Sequence, residues 1–338
     1  MKRKLLYIGN QLADKGRTPT TIDRLAPRLK DMGFEVLTAS SKENKFLRLL
    51  DMLWTTWRFA SASNLVLIDT YSTTNFWYAV WVARICRFRK CPYIPYLHGG
   101  NLPERLSTNP KTSRNLFGKA KIIVSPSSYL IQQFKEAGFD RLHLIPNFIN
   151  LSDYPRKDRS QLRPRLLWVR SFAAIYNPQM ALDVVEKLMV KYPTVELCMV
   201  GPDKDGSLYS CQRYAREKEL PVRFTGKLGK EQWIELSQAY DIFINTTHFD
   251  NMPVSVIEAM TLGLIVVSTN VGGIPYLIEH GKEGYLVPDG DAQAMASQVS
   301  QLLESPDGAS SIQEQASEII KRFDWSQVQE EWKSLLRE

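Results

Sequence analysis

The stretch Asp250-Asn251-Met252-Pro253-Val254-Ser255-Val256-Ile257-Glu258-Ala259-Met260 decides how the rest of the chain is read. It follows a β-branched run, 242–245, and so reads as strand, loop, helix. Pro253 suits the first turn of a helix, where a missing N–H costs nothing. The amides of Val254 and Ser255 are then left without acceptors, and a helix start of this kind binds phosphate. Glu258 falls about 1.4 turns into the helix at 3.6 residues per turn, where a carboxylate can accept two hydrogen bonds from a ribose diol. Asp250, in the loop before the helix, is placed to reach a sugar hydroxyl.

The same alternation extends in both directions. Strand candidates fall at 4–8, 35–38, 65–69, 93–97, 121–125 and 143–145, and again at 165–169, 195–200, 222–225, 242–245 and 265–268. Amphipathic helical stretches separate most of them, most clearly 20–32 and 178–191. The expectation is an α/β chain of two doubly wound parallel sheets. Ligands of such sheets bind at the carboxyl ends of the strands, so the two halves are expected to face a cleft. Residues 150–165 are polar, charged and carry two prolines, the composition of an interdomain linker. The 338 residues suit two domains.

Charge divides between the halves. Residues 1–150 carry 23 Lys and Arg against 10 Asp and Glu, a net +13, whereas 151–338 carry 20 against 26, a net −6. A basic half suggests an anionic partner, with nucleic acid, anionic lipid and a phosphorylated substrate all open at this point. The four cysteines, Cys86, Cys91, Cys198 and Cys211, show no C-x-x-C pair and no metal spacing, which fits reduced thiols in a cytoplasm. No apolar run approaches the roughly 18 residues of a membrane span. The nearest, 76–86, is broken by Arg84, and the apolar residues 5–8 behind the basic start are too few for a signal-peptide core. There is no Walker A loop and no G-x-G-x-x-G fingerprint. Asp203-Lys204-Asp205 and Asp289-Gly290-Asp291 lie in Gly-containing loops and read as turn formers, so no metal and no other cofactor is expected.

The segment at 250–260 resembles the acid-x7-Glu signature of glycosyltransferase family 4, whose usual form is Glu-Gly-Phe-Gly, three residues, then Glu-Ala-Met-Ala. Thr261 to Pro275 and His280 to Pro288 continue the likeness toward the family's last strand. Upstream, Ile145-Pro146-Asn147-Phe148-Ile149 is similar to the family's Ile-Pro-Asn-Gly-Val, Leu97-His98-Gly99 to its strand-end His, and Val124-Ser125 to its strand ending in Ser. The resemblance implies a GT-B fold: an acceptor-binding Rossmann-like domain at 1–150, a linker at 151–165, a nucleotide-sugar-binding Rossmann-like domain at 166–323, and a helix at 324–338 crossing back to the first domain. It implies a retaining, metal-independent transfer from a nucleotide-sugar donor to a glycan or lipid-linked acceptor in surface polysaccharide synthesis.

Residue roles follow from the same likeness. Glu258 would bind the donor ribose, Asp250 would hold a hydroxyl of the transferred sugar, and the amides of Val254 and Ser255 would meet the diphosphate. Arg170 would clamp the diphosphate, a task for a guanidinium that is always charged and bidentate. Gly16 would let backbone approach the phosphates, and His98 would orient the sugar. Catalysis falls to Arg170, Asp250 and His98, and donor binding to Glu258, Val254, Ser255, Gly16 and Lys227. The sequence departs from the family twice. Its leading acid is Asp250 rather than Glu, and Ile175 stands where a Lys follows the Arg, leaving Lys227 as the substitute cation or a plain turn residue.

Two alternatives to transfer stay open: a non-catalytic, degenerate GT-B binding subunit, and another GT-B reaction such as nucleotide-sugar 2-epimerisation. Nucleic-acid binding lacks a recognisable module and is not expected. The segment 46–59 is a basic, Trp-rich helix with Leu50, Leu53, Trp54 and Trp57 on one face, followed later by Arg84, Arg87, Arg89 and Lys90. It reads equally as a helix packed on the sheet or one lying in an anionic membrane surface. The expected location is the cytoplasm, with the inner face of the cell membrane open.

Overall fold

The computed structural model describes residues 2–15, 19–159, 161–305 and 307–337. They divide into two compact units, Met1–Ile145 with Lys333–Glu338, and Pro146–Trp332.

The first unit is built on six parallel strands, β1 (Lys4–Ile8), β2 (Glu35–Ala39), β3 (Leu65–Thr70), β4 (Tyr93–Leu97), β5 (Ile123–Ser125) and β6 (Leu142–Leu144). Their order across the sheet is β2-β1-β3-β4-β5-β6. Every residue of β3 and β4 is buried, as expected of central parallel strands covered on both faces. The crossovers are helices α1 (Thr21–Asp31), α2 (Lys45–Phe59), α3 (Phe76–Phe88), α4 (Leu102–Thr108), α5 (Pro110–Phe117) and α6 (Ser128–Glu136). Asn44 starts α2 by accepting from the amides of Phe46 and Leu47 at 2.9 and 3.1 Å.

The second unit repeats the plan with β7 (Arg165–Val169), β8 (Glu196–Val200), β9 (Val222–Gly226), β10 (Ile242–Asn245), β11 (Ile265–Thr269) and β12 (Tyr285–Val287), ordered β12-β11-β10-β7-β8-β9 and again all parallel. Its helices are α7 (Pro178–Met189), α8 (Ser207–Glu217), α9 (Lys230–Ser237), α10 (Val254–Thr261), α11 (Ala292–Glu304), α12 (Asp307–Ile320) and the first part of α13 (Trp325–Arg337), whose residues from Lys333 on group with the first unit. The α/β reading with two doubly wound sheets holds. The three-residue β12 lies in the stretch 280–288 that the family likeness carries toward a last strand.

Residues 151–159 and 161–165, in the segment read as a linker, group with the second unit. Arg159 is 1% exposed there. Its guanidinium donates to the carbonyls of Tyr240 (2.9 Å), Leu262 (2.6 Å), Ser237 (3.1 Å) and Lys157 (3.1 Å), with Asp241 at 3.6 Å. Burial pulls its pKa down to about 10, partly opposed by the Asp241 carboxylate. A charged, proline-containing stretch looks like solvent-exposed chain, but a single arginine that satisfies four carbonyls can be core.

Candidate functional site

In the second sheet the connections from β7 and β10, which lie side by side, run in opposite directions across the sheet. The boundary between these two strands is the switch point of the sheet, and their carboxyl ends are where such folds bind ligands. Arg170 follows β7 and Asp250 lies in the loop after β10. The Arg170 guanidinium pairs with the Asp250 carboxylate and lies 4.9 Å over the Tyr176 ring. Arg170 Nε is buried with no hydrogen-bond partner. A buried guanidinium N–H without an acceptor is costly, so it marks a place prepared for an anion.

The Asp250 loop is held by backbone. The Gly273 amide donates to the Asp250 carbonyl at 2.8 Å, and the Asn251 amide to Asp250 Oδ1 at 2.8 Å. A Cβ on Gly273 would lie 1.7 Å from the Asn251 carbonyl, so the Gly272-Gly273 pair is what lets the loops meet. Helix α10 begins here. Pro253 is its N-cap, with φ −70° and ψ 108°, one position before the first-turn place read from the sequence. Its carbonyl accepts from the Val256 and Ile257 amides at 3.1 and 3.3 Å, which leaves Val254 and Ser255 as the first amides of the helix, without intrahelical acceptors. Ser255 Oγ is buried and also has no partner. Glu258 is 8% exposed, one turn further on, and accepts from the Tyr154 hydroxyl. The ring of Tyr154 carries Lys230 4.5 Å above it.

The structure thus joins Arg170 to Asp250 directly and sets Val254, Ser255 and Glu258 on the helix that follows Asp250. Lys227 sits exposed in the turn between β9 and α9. At the position of the family's Lys, the carbonyl of Ile175 accepts from the His248 amide (2.9 Å) and the Thr247 hydroxyl (3.1 Å), docking that loop on the one that carries Asp250. The two Asp-x-Asp triplets serve local structure. Asp203 and Asp205 accept from backbone amides of their own turn and of Ala174, Asp291 caps α11 through the Ala294 amide at 2.8 Å, and Asp289 pairs with His248 at 2.8 Å.

In the first unit His98 stands just past β4. Its Nε2 lies 2.8 Å from Asp69 Oδ1, and its Nδ1 lies 3.4 Å from the Thr21 hydroxyl. A carboxylate only accepts, so Nε2 carries a proton and donates to Asp69. Asp69 is wholly buried at the end of β3 and also accepts from Tyr7 Oη at 2.8 Å. Its Oδ2 is unpartnered, and a Cβ on Gly9 would come within 2.5 Å of that atom. The His98 ring packs 4.2 Å from Tyr96 and 5.3 Å from Tyr71, centroid to centroid. Burial first, and the Asp69 charge second, push the hydroxyls of Tyr7, Tyr71 and Tyr96 well above the usual tyrosine value. Gly16 lies outside the described residues. Sequence reasoning passed over Asp69, Tyr154 and Tyr176. Asp69 had a visible signal, a lone acid closing an otherwise apolar strand run, whereas the tyrosines had none.

Residues 18–153 match the family model described as Glycosyltransferase Family 4, and residues 163–305 the model described as Glycosyl transferases group 1. The sulfoquinovosyl transferase SQD2 of Arabidopsis thaliana is 31% identical over 43% of this chain and 28% of its own length. The amylovoran biosynthesis glycosyltransferase AmsK of Erwinia amylovora is 33% identical over 33% of this chain and 26% of its own. The aligned part therefore spans little more than a quarter of either relative. Among solved structures, Anabaena Alr3699/HepE in complex with UDP superposes with a TM-score of 0.78 at 19% identity, covering the whole of both chains, a likeness of fold. With two family models matched in succession and two six-stranded parallel sheets, the chain belongs to glycosyltransferase family 4 and has the GT-B fold.

Proposed function

We propose that this chain is a retaining, metal-independent hexosyltransferase. It moves a sugar from a nucleotide-diphosphate donor to a hydroxyl of a glycan or lipid-linked glycan in surface polysaccharide synthesis, in the cytoplasm at the inner face of the membrane. The observation that carries the reading is the set of unsatisfied donors at the switch point of the second sheet: Arg170 Nε, Ser255 Oγ and the first two amides of α10. Together they suit a diphosphate, whose charge grows as the glycosyl bond breaks; donors fixed in place before the reaction stabilise that charge. Glu258 takes the ribose hydroxyls in place of Tyr154. Asp250, released from Arg170 when phosphate takes the guanidinium, accepts from a sugar hydroxyl. His98 orients the acceptor side through Nδ1. The departing phosphate takes the acceptor proton, so no separate base is required. The polysaccharide role is supported by the likeness to AmsK, an amylovoran biosynthesis glycosyltransferase, and the nucleotide by the UDP in the HepE complex.

The test is a panel of nucleotide sugars offered to the purified chain, read first as thermal stabilisation, since a ligand of the folded state raises the midpoint. Turnover is then followed with and without excess EDTA. Transfer with retained anomeric configuration, unaffected by EDTA, is expected. Stabilisation without turnover would favour a binding subunit, and an epimerised nucleotide sugar the epimerase reading. Activity lost to EDTA and restored by Mg²⁺ or Mn²⁺ would overturn metal independence.

A further inference from the structure

The sequence leaves α2 undecided between packing on the sheet and lying in a membrane surface. In the structure its aromatic face points outward. Leu50 is 47% exposed, Trp54 62% and Trp57 45%, whereas the side turned inward carries Met52, Thr56 and the buried Arg48. Arg48 is tied down by its own chain, donating to the carbonyls of Lys42 and Glu43 at 2.8 and 3.1 Å. At 100° per residue, Phe46, Leu47, Leu50, Trp54 and Trp57 fall within one arc, while Leu49, Met52 and Leu53 pack against the core, so the helix is apolar on its buried side and carries a second, exposed apolar face.

Helix α3 packs beside α2 and continues the face. Trp77, Trp81, Arg84 and Phe88 recur at four, three and four residues, a single stripe, and all four are exposed. Phe88 stacks on Trp57 with ring centroids 5.4 Å apart and so joins the two stripes. Arginines stand against the exposed rings: Arg89 lies 5.2 Å from Trp57, Arg84 5.7 Å from Trp81 and Arg58 5.5 Å from Phe59. A soluble protein rarely leaves so many large apolar side chains contiguous in water. Three of the exposed rings thus have an arginine against them, in the half of the chain that carries +13.

We infer that the joint outer face of α2 and α3 is a docking surface for an anionic phospholipid bilayer, with the tryptophans in the headgroup region and the arginines on the lipid phosphates. The composition favours this occupant over a second protein. Trp with Arg is the interfacial pattern of helices that lie on membranes, and the basic side chains are complementary to an anionic leaflet. The inference deepens the proposed function, because it brings the chain to the surface where a lipid-linked acceptor is held. It stands on the first unit alone, whereas the donor reading stands on the second.

The test is co-sedimentation of the whole chain with vesicles of phosphatidylcholine and graded phosphatidylglycerol, with brominated acyl chains to quench tryptophan. Four of the eight tryptophans lie on this face. Binding should rise with anionic content, and bromine should quench the emission. Arg58→Glu and Arg84→Glu should each lower the partition coefficient by roughly fivefold or more at low salt. Trp54→Ser with Trp57→Ser should cost roughly tenfold or more, and should remove the binding that survives 1 M salt, where the Debye length is about 3 Å. These side chains are exposed, so the variants should keep the wild-type melting point. Wild-type protein left in the supernatant at every composition at low salt overturns the inference. So does a lipid-free dimer that these same variants dissociate, since the face would then join copies of the chain. Calorimetry with nucleoside diphosphates separates the two readings. Vesicle binding without nucleotide binding sinks the transferase and upholds the docking surface; nucleotide binding without vesicle binding does the reverse.

Discussion

The two sheets share a topology and differ in what stands at their switch points. In the first, between β1 and β3, the penultimate residue of β3 is Asp69, and the protein itself supplies donors to one of its two oxygens. Tyr7 and His98 both donate to one carboxylate oxygen, and tyrosine rings flank the imidazole. In the second, between β7 and β10, the position after β7 is Arg170, and its surroundings are left partly unsatisfied. A negative, internally bonded end is suited to holding one imidazole in one tautomer. A positive end with orphan donors is suited to receiving an anion. The same fold thus places an acid at one switch point and a guanidinium at the other, and the proposed roles of the two units follow from that difference.

The strongest way to break that contrast is at Arg170. Arg170→Ala should lower turnover by roughly 10²–10³-fold, the cost of losing one preorganised donor to a developing negative charge. Arg170→Lys should recover only part of this, since an ammonium cannot offer the planar fork. Substitution also leaves Asp250 without its partner, so the folded state should be checked by thermal melting alongside. Near-normal turnover in the Ala variant would move the anion site to another cation.

Asp69→Asn tests the first unit. Its effect should be about 10- to 100-fold on turnover, the worth of one charge-assisted hydrogen bond, with nucleotide affinity unchanged because the second unit is untouched. Gly9→Ala should act in the same direction, since the added Cβ would press on the unpartnered oxygen of Asp69. A fall in nucleotide affinity in either variant would mean that the two switch points are not separate devices. Glu258→Ala is the converse. It should weaken nucleotide binding by about 1–3 kcal/mol, measured by calorimetry. Tyr154→Phe, which frees Glu258 of the hydroxyl it now binds, should leave affinity equal or slightly improved.

How much of this was open to reading from the chain differs between the units in the same way. The donor side was legible because its chemistry is local in sequence. Asp250, Pro253, Val254, Ser255 and Glu258 lie within nine residues, and strand-loop-helix punctuation places them without any tertiary knowledge. Arg170 was legible only through the family likeness, and its partner Asp250 lies 80 residues away. The His98 environment is non-local throughout, with Tyr7, Asp69 and Thr21 contributed by three separate elements, and spacing cannot reveal such a meeting. Two further segments show where local reading runs out. Arg159 is buried within a largely exposed, charged stretch because it meets backbone carbonyls. Helix α2 carries the apolar periodicity of a packed helix, and periodicity states which residues share a face but not which way the face points.

The smallest expected effect falls within the second unit, at a place where its two chain ends meet. Asp324 starts α13, accepting from the Ser326 amide at 3.2 Å through Oδ2, while its Oδ1 accepts from the Leu151 amide at 3.0 Å. One carboxylate therefore caps a helix and fastens the segment that opens the unit. Partial burial raises its pKa, but the amides of Leu151 and Ser326 and the Ser326 hydroxyl more than offset that, and the net shift is downward. A carboxyl held below its unfolded value stabilises the fold above the unfolded value, near 3.9, and that contribution is lost as pH falls through the folded one. Asp324→Ala should cost about 1 kcal/mol, the usual worth of a cap, or on the order of 2–4 °C in the melting of the second unit. Asp324→Asn keeps an acceptor for the amides and should recover most of the neutral-pH loss. It should also flatten the pH dependence below 4, because the titrating group is gone. If both variants melt like the wild type at pH 7 and share its acid slope, the bond to Leu151 contributes nothing to stability.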